Sequence, residues 1–378
     1  MSGIKVLVVD DSVVIRRLVT DVLAGDPGIE VVGTAVNGSA ALTKVEQLKP
    51  DLVTMDIEMP GMDGIEAVRR LRASGCRVPI IMFSTLSERG AVATLDALAA
   101  GASDYVTKPA NVGSVGQSMQ QVRDALIPRI KSLVQRRPAP PTAPVRGAGP
   151  AATPRAPVAP PSRLRPVTAA PAGGHRLLVV GSSTGGPEAL TTLFGALPVL
   201  PVPVAVVQHM PPVFTRQLAV RLDRRYDSEF REVEDGDVLR PGTVSIAPGD
   251  FHLSVVSRGG NLVAQLSQTP PENFCRPAVD VLFRSAAAAV HHQVLGVVLT
   301  GMGQDGRRGS QEIVDAGGSI LAQDEASSVV WGMPGAVTNA GLAEAVLPLP
   351  AIAAEVVRRL VRGPGPTAAL LRPAGANR

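Results

Sequence analysis

The segment KVLVVDDS at residues 5–12 joins a short run of branched apolar residues to a pair of carboxylates. Four similar apolar runs follow, each separated from the next by a stretch long enough for a helix. They are IEVVGTAV at 29–36, PDLVTMD at 50–56, VPIIMFS at 78–84 and ASDYVTKP at 102–109. Alternation of this kind predicts a parallel sheet covered by helices on both faces. We therefore expect an α/β domain of five βα units over residues 1–136.

A second βα pattern begins at RLLVVGSSTGGPEAL, residues 176–190, where an apolar run leads into a Gly-rich turn and a helix. Further apolar runs are VPVAVVQ at 202–208 and VLGVVL at 294–299. Between them, residues 242–266 alternate polar and apolar side chains around a Gly-Gly-Asn turn, the pattern of an antiparallel hairpin. We expect a doubly wound, mostly parallel α/β domain over residues 175–362, with the hairpin at the edge of its sheet.

The segment between the two patterns, residues 137–174, is rich in Pro, Ala, Gly and Arg and contains no acidic residue. Such a composition cannot bury enough apolar surface to offset the entropy lost on ordering the chain. We interpret it as a disordered linker. Residues 363–378 have the composition of a flexible C-terminal tail.

Charge and composition exclude several classes of protein. The net charge is +4, but residues 175–362 carry 15 Arg against 18 acidic residues and no Lys, which disfavours a nucleic-acid-binding face. The two cysteines, Cys76 and Cys275, fall in different predicted domains. No signal peptide is visible, and no apolar run reaches the roughly 18 residues that span a bilayer. These features favour a cytoplasmic protein that neither binds nucleic acid nor inserts into a membrane.

Charged and hydroxyl side chains end the predicted strands of the first domain. Asp10 and Asp11 end the first strand, Asp56 ends the third, Ser84 ends the fourth, and Lys108 follows the fifth. Carboxylates this close need a cation, and Mg²⁺ prefers such oxygen ligands. Singly, these residues could be a helix cap, a turn or a surface charge. Together they predict a pocket in which Asp56 attacks phosphorus and forms an acyl phosphate.

The motifs VVDDS, VTMDIEMPGMDG and YVTKP resemble the response-regulator receiver family across the whole first domain. The resemblance implies a flavodoxin-like fold in a two-component system, with Asp56 as the phosphoacceptor. It also implies a Mg²⁺ site needed for phosphorylation, formed by Asp10, Asp11 and Asp56. The residues implied to relay the phosphorylation switch are Ser84, Tyr105 and Lys108.

The Gly-rich turn of the second domain, GSSTG at 181–185, fits the G-x-S-x-G spacing. This spacing can place Ser183 on a sharp strand-to-helix bend near main-chain N–H groups that stabilise an oxyanion. One alternative is a turn that binds a nucleotide phosphate, although Pro187 and Glu188 stand where a lysine is expected. Another is a helix start that the serine merely caps.

A catalytic serine needs a base to accept its proton, and histidine is the usual one. His209 follows the apolar run at 202–208, so it should emerge at a strand end beside the Ser183 turn. Asp305, after the apolar run at 294–299, is the best candidate to orient the imidazole, although an Asp-Gly turn is an equal alternative. The order Ser, His, Asp differs from that of ordinary α/β-hydrolases.

The motifs GSSTGGP, QHMP, CRPAVDVLF and LTGMGQDG resemble the catalytic domain of the chemotaxis protein-glutamate methylesterase family, CheB. The resemblance implies a serine hydrolase with Ser183 as nucleophile, His209 as general base and acid, and Asp305 as orienting carboxylate. Thr184 and the main chain at Met302 would help to polarise the carbonyl. The implied substrates are glutamyl methyl esters, and selected glutamines, on chemoreceptors. Ester hydrolysis would need no cofactor.

The two resemblances together imply how activity is controlled. An unphosphorylated receiver would cover the catalytic cleft, and phosphorylation by a chemotaxis histidine kinase would relieve the block. The alternative is a receiver joined to a non-catalytic module that binds a receptor or a nucleotide without turnover.

Overall fold

The computed structural model describes residues 3–109, 115–134, 164–167, 171 and 173–361. Most of the predicted linker and all of the predicted tail at 363–378 lie outside the described residues. We refer to the described residues up to Val134 as the N-terminal module and to those from Gly173 onward as the C-terminal module.

The N-terminal module is a parallel sheet with helices. Its strands are β1 (Ile4–Val9), β2 (Ile29–Ala35), β3 (Leu52–Asp56), β4 (Ile80–Ser84) and β5 (Asp104–Thr107). Its helices are α1 (Val13–Ala24), α2 (Gly38–Leu48), α3 (Gly64–Ala73), α4 (Glu88–Ala99) and α5 (Val115–Val134). The strand order is β2-β1-β3-β4-β5, and every residue of β3 and β4 is buried. The predicted five βα units are confirmed.

Polar caps begin the helices of this module. The side chains of Ser12, Asn37, Asp63 and Ser87 each accept a hydrogen bond from a main-chain N–H three residues later. These bonds satisfy N–H groups that have no partner inside the helix. The cap of α1 is Ser12, so Asp10 and Asp56 at the strand ends remain for another role.

The C-terminal module contains nine strands. They are β6 (Leu177–Ser182), β7 (Val204–Gln208), β8 (Glu229–Glu232), β9 (Thr243–Ile246), β10 (His252–Arg258), β11 (Asn261–Ser267), β12 (Val294–Val298), β13 (Ser319–Gln323) and β14 (Ala345–Leu347). The helices are α6 (Gly186–Gly195), α7 (Phe214–Asp223), α8 (Val279–Val290), α9 (Arg307–Asp315), α10 (Met333–Asn339) and α11 (Leu349–Val361). A 3-10 turn follows α8 at His291–Gln293.

Seven of these strands form one sheet in the order β14-β13-β12-β6-β7-β9-β8, and all of its pairs are parallel. The chain moves from β6 to β7 on one side and returns much later to β12 on the other. A crevice opens beyond the carboxyl ends of the strands at such a reversal of strand order. The segments that follow β6, β7 and β12 therefore meet in one place.

The predicted antiparallel hairpin is present, but it does not extend the main sheet. β10 and β11 pair only with each other as strands and pack on α8 as a separate layer. The segment TVSI, grouped with the hairpin from its sequence, instead joins the main sheet as β9. Period-two alternation reports that one face is buried, and it cannot report whether a helix or a sheet buries it.

Apolar packing continues across the contact between the two modules. Tyr105 of β5 stacks on Phe214 of α7, with ring centroids 4.9 Å apart and an interplanar angle of 9°. At the side of this contact, Arg221 Nη1 lies 2.6 Å from Asp96 Oδ1 of α4. The N-terminal module thus lies against the carboxyl-end face of the second sheet.

The longest described helix, α5, has 20 residues and includes charged side chains along its length. Within the described ranges, no helix combines the length and the apolar character needed to cross a membrane.

Two phenylalanines give a test of the C-terminal core. Phe283 of α8 is 0% exposed, whereas Phe274 is fully exposed. We expect Phe283→Ala to lower the free energy of unfolding by about 3–5 kcal/mol through lost burial and a cavity, and Phe274→Ala to change it little. Urea denaturation followed by fluorescence of the single tryptophan, Trp331, measures both. Equal midpoints for the two variants would contradict this packing.

Candidate functional site

The first candidate site is the acidic pocket at the carboxyl end of the N-terminal sheet. Lys108 Nζ lies 2.8 Å from Asp56 Oδ1 and 3.1 Å from Asp10 Oδ2. Ligand atoms of Asp10, Asp11 and Asp56 lie within 4.8 Å of one another. Asp10 and Asp56 are buried and Asp11 is exposed, so the pocket is open on one side.

The electrostatics of this pocket fit a divalent cation. Burial raises the pKa of Asp56 to about 6, against the opposing hydrogen bond from Lys108. Burial also raises the pKa of Asp10, and its Oδ2 accepts no well-aligned hydrogen bond despite the nearby ammonium. Two buried carboxylates with one lysine leave negative charge that an oxygen-liganded ion such as Mg²⁺ would neutralise.

The structure separates the predicted switch residues. Ser84 lines the acidic pocket, but its hydroxyl turns toward α4, where it donates to the Gly90 carbonyl at 3.1 Å. Tyr105 lies outside this pocket, with its ring on Phe214 of the C-terminal module, and burial raises its pKa. Lys108 alone of the three contacts the Asp56 carboxylate.

The second candidate site begins at the turn between β6 and α6. Gly185 has φ +75°, and a Cβ on Gly186 would lie 1.9 Å from Gln208 Oε1, so this turn needs glycine at both positions. Gln208 Nε2 donates to the Ser183 carbonyl at 2.9 Å, which fixes the bend. Ser183 is half-buried, and its hydroxyl makes no hydrogen bond within the described residues.

His209 and Asp305 meet beside this turn. His209 follows β7, Asp305 lies in the loop after β12, and His209 Nε2 is 2.8 Å from Asp305 Oδ2. The other ring nitrogen, Nδ1, lies 3.5 Å from Cys275 Sγ. Ser183, His209 and Cys275 line one cleft of about 410 Å³. The alternative of a plain Asp-Gly turn at Asp305 does not account for its contact with the imidazole.

The start of α8 holds the Asp305 carboxylate. Asp305 Oδ2 accepts from Val279 N at 2.6 Å, and Oδ1 accepts from Asp280 N at 3.0 Å and from Gly306 N at 2.9 Å. The N-cap residue of α8, Ala278, has no side chain that could cap these groups. A carboxylate at a helix N-terminus is also favoured by the helix dipole.

These contacts set the charge states of the pair. Burial opposes the ionised form of Asp305, but His209 and the α8 N–H groups outweigh it and lower the pKa of Asp305. Burial likewise lowers the pKa of His209, and the hydrogen bond to Asp305 together with the Cys275 contact raises it above its ordinary value overall. The pair is therefore suited to hold a proton on the imidazole.

Two predicted oxyanion donors border Ser183. Within the described residues, the main-chain N–H groups of Thr184 and Met302 have no hydrogen-bond partner. A Cβ on Gly301 would lie 2.8 Å from Ser183 Cβ, so the loop before Met302 runs directly beside the serine. Both N–H groups are thus available beside the nucleophile, as an oxyanion hole requires.

The N-terminal module forms the other wall of the cleft. Thr184 Oγ1 donates to Asp104 Oδ2 at 2.8 Å, and Arg129 Nε lies 3.2 Å from the same oxygen. Both Asp104 and Thr184 are buried. Asp104, the first residue of β5, therefore accepts a hydrogen bond from Thr184, the residue next to the candidate nucleophile Ser183.

Four residues of these sites were not identified from the sequence: Gln208, Asp104, Asn273 and Cys275. Gln208 is the last residue of β7 and Asp104 is the first residue of β5. A polar residue that borders an apolar run could have marked either position from the sequence. Asn273 and Cys275 lie in a turn with left-handed residues, where no periodicity marks which side chains point inward. The CRPAVDVLF motif pointed to the region but not to its contacts.

Comparison with protein families gives two matches. A family model described as CheB methylesterase matches residues 178–356, and one described as response regulator receiver domain matches residues 6–120. The two matched regions correspond to the C-terminal and N-terminal modules.

Curated relatives match nearly the whole chain. The chain is 67% identical over 362 residues to a protein-glutamate methylesterase/protein-glutamine glutaminase of Nocardioides sp., covering 96% of this chain and 97% of the relative. It is 46% identical to a protein of the same name from Trichodesmium erythraeum, covering 95% and 100%. The CheB methylesterase catalytic domain of Thermotoga maritima has 42% identity and a TM-score of 0.48, covering 49% of this chain and 98% of that domain.

The His209 environment gives a pH prediction. A general base works in its neutral form, so a raised His209 pKa places the rising limb of kcat/KM above pH about 6.5. Asp305→Asn removes the negative charge that raises this pKa. We expect the limb to move to lower pH and kcat to fall about 1,000-fold or more, measured by hydrolysis of a small ester across pH.

Asp315→Asn is the matched control, because Asp315 is exposed at the end of α9 and, among the residues that the structure describes, its side chain bonds only to Gln311. Its pH profile should match that of the wild type. A profile of Asp305→Asn that overlays the wild type would show that the carboxylate does not act on the imidazole.

Proposed function

The chain belongs to the CheB methylesterase family, and we propose that Ser183, His209 and Asp305 carry its activity under the control of the N-terminal receiver domain. The protein is a protein-glutamate methylesterase and protein-glutamine glutaminase. The alternative of a non-catalytic binding module finds no support among the relatives. Our domain division is a receiver at 1–136, a linker at 137–174, a catalytic domain at 175–362 and a tail at 363–378.

The observation that carries the assignment of residues is the convergence of three groups from three adjacent strands. A hydroxyl without a partner in the described residues, an imidazole and a buried carboxylate follow β6, β7 and β12. Ser183 and His209 line one cleft, and Asp305 lies behind the imidazole. The carboxylate is fully hydrogen-bonded and lies on the imidazole, which is the relation that fixes a histidine tautomer in serine hydrolases.

In the proposed reaction, Ser183 Oγ attacks the ester carbonyl while its proton passes to His209. Because Asp305 accepts from Nε2, the lone pair that receives this proton is on Nδ1. The imidazolium then protonates the leaving group, which departs as methanol from an ester or as ammonia from a glutamine amide, and an acyl-enzyme remains. Water, deprotonated by His209, hydrolyses the acyl-enzyme to glutamate and restores the serine. Thr184 and Met302 N–H groups stabilise the oxyanion.

The receiver domain supplies the control. Asp56 would take a phosphoryl group from a histidine kinase, and Asp10, Asp11 and Asp56 would hold Mg²⁺, which neutralises charge during that transfer. The strand β5 joins this site to the cleft, since Lys108 follows it and Asp104 begins it. A shift of β5 on phosphorylation would withdraw Asp104 from Thr184.

We propose methyl-accepting chemoreceptors as the substrate proteins and the cytoplasm as the location. The names of the relatives support a protein substrate, and the family's place in chemotaxis supports receptors. The predictions that the protein binds no nucleic acid and needs no cofactor for ester hydrolysis stay predictions.

The proposed function is tested by methanol release from methylated receptor membranes. We expect Ser183→Ala to reduce release at least about 1,000-fold. Ser257→Ala, an exposed serine of the hairpin, is the matched control and should retain the wild-type rate. Wild-type release by Ser183→Ala would remove the serine from the mechanism.

The contact between Asp104 and Thr184 gives a prediction for control. Asp104→Ala removes the bond from Thr184 and also the Asp104 contacts with Arg129 and the Tyr105 N–H inside the receiver. Loss of the Thr184 bond, worth about 1 kcal/mol, should raise basal methanol release by about fivefold. A phosphodonor should then stimulate this variant less than the wild type. Asp26→Ala breaks a contact with Lys131 inside the receiver and serves as control. Unchanged basal release with full stimulation would contradict a role for Asp104.

A further inference from the structure

We propose that Asn273 is a positioning residue for the catalytic carboxylate, holding Asp305 through the oxygen that His209 does not use. The inference rests on the proposed function of the Ser183 cleft and deepens it. Asn273 contacts neither Ser183 nor the reacting atoms, so it would act only through Asp305.

The geometry is a bridge between two buried carboxylates. Asn273 Nδ2 donates to Asp305 Oδ1 at 2.9 Å and to Asp280 Oδ2 at 2.8 Å. An amide NH₂ has two hydrogens, so both bonds form at once. With this bond, Asp305 Oδ1 has three donors, and the carboxylate cannot rotate without losing several bonds. Oδ2 is therefore kept toward the imidazole.

The bridge matters because its two partners carry like charge. Asp280 and Asp305 are 1% and 2% exposed. Burial raises the pKa of Asp280, and the charge of Asp305 raises it further, against the Gly309 N–H bond. A neutral double donor between them stabilises both ionised forms. Without it, we expect the two carboxyls to share a proton and Asp305 to lose part of its charge.

The backbone at Asn273 is also unusual. Asn273 has φ +53° and Phe274 has φ +63°, a conformation that side chains other than Asn and Asp rarely adopt. Glu272 and Cys275 exchange two main-chain hydrogen bonds, of 3.1 and 2.9 Å, and close the turn. Strained residues persist where the surroundings fix them, and such positions cluster at functional sites. This turn brings Asn273 to Asp305 and Cys275 to His209.

Two substitutions distinguish the contribution of the Asn273 amide from that of its positive-φ backbone conformation. Asn273→Gly removes the amide and still allows positive φ. Asn273→Asp keeps the size and shape but replaces the donor by an acceptor. For a positioning residue, both variants should lower kcat about 10- to 100-fold, an effect typical of groups that orient a functional side chain through a hydrogen bond. KM for a small ester should stay unchanged.

Two readouts report on the Asp305–His209 pair itself. The rising limb of the pH profile should move to lower pH in Asn273→Gly, because a partly protonated Asp305 raises the His209 pKa less. The downfield proton resonance of the hydrogen bond between His209 and Asp305 should shift or broaden. In Asn273→Asp, the ratio of its activity to that of the wild type should rise toward acid pH, where the new carboxyl group is protonated and can donate.

A second-site rescue excludes a merely structural role. Asp280→Asn removes the like charge, so it should restore part of the kcat lost in Asn273→Gly. Asn261→Gly, in the exposed hairpin turn, is the matched control and should retain wild-type kcat. If Asn273→Gly does not fold, the proposal is judged on the isosteric variant Asn273→Asp.

Wild-type kcat, pH profile and proton resonance in a folded Asn273 variant would overturn the proposal. Failure of the proposed function is distinct, since the wild-type protein itself would then release no methanol from methylated receptors. Loss of kcat without any change in pH profile or resonance, and without rescue, would also overturn the positioning role.

Discussion

The structure of the C-terminal module depends on one buried negative charge at the start of α8. Asp305 supplies the cap that Ala278 cannot, so the first N–H groups of the helix and the His209 imidazole share one carboxylate. The helix in turn packs on the hairpin and lies so close to β6 that a Cβ on Gly181 would meet Val279 at 2.4 Å. The Asp305 carboxylate thus orients the imidazole and anchors the start of α8 at the same time.

A single short strand connects the two candidate sites. β5 begins at Asp104, which accepts from Thr184, and continues through Tyr105, whose ring lies on Phe214. It ends just before Lys108, which pairs with Asp56. In the proposed phosphorylation, charge added at Asp56 would act on Lys108, and the same strand would carry the change into the cleft.

The sequence was informative wherever strand ends determine position. Asp10, Asp56, Ser183, His209 and Asp305 follow apolar runs, and parallel strands bring their ends to one edge, so their grouping could be inferred. Turns with left-handed residues follow no such rule, which is why Asn273 escaped notice. The layer that a hairpin joins is also set by long-range packing, as β10 and β11 illustrate.

The two halves of the proposed active site differ in how easily they can be disturbed. The acid–base half, in which Asp305 accepts from His209 Nε2, is nearly enclosed, with the two side chains 2% and 11% exposed and both Asp305 oxygens hydrogen-bonded. Removing one partner of a buried charged pair costs about 3–5 kcal/mol. The nucleophile half has weaker contacts. The Ser183 hydroxyl has no partner within the described residues, Nδ1 of His209 lies 3.5 Å from Cys275 Sγ, and the Thr184 hydroxyl is bonded to Asp104 of the receiver. Each of these contacts is worth about 1 kcal/mol. Contacts of this size are easier to change than the buried pair, so we expect control of this enzyme by the receiver to act on the serine and on the Thr184 side chain beside it.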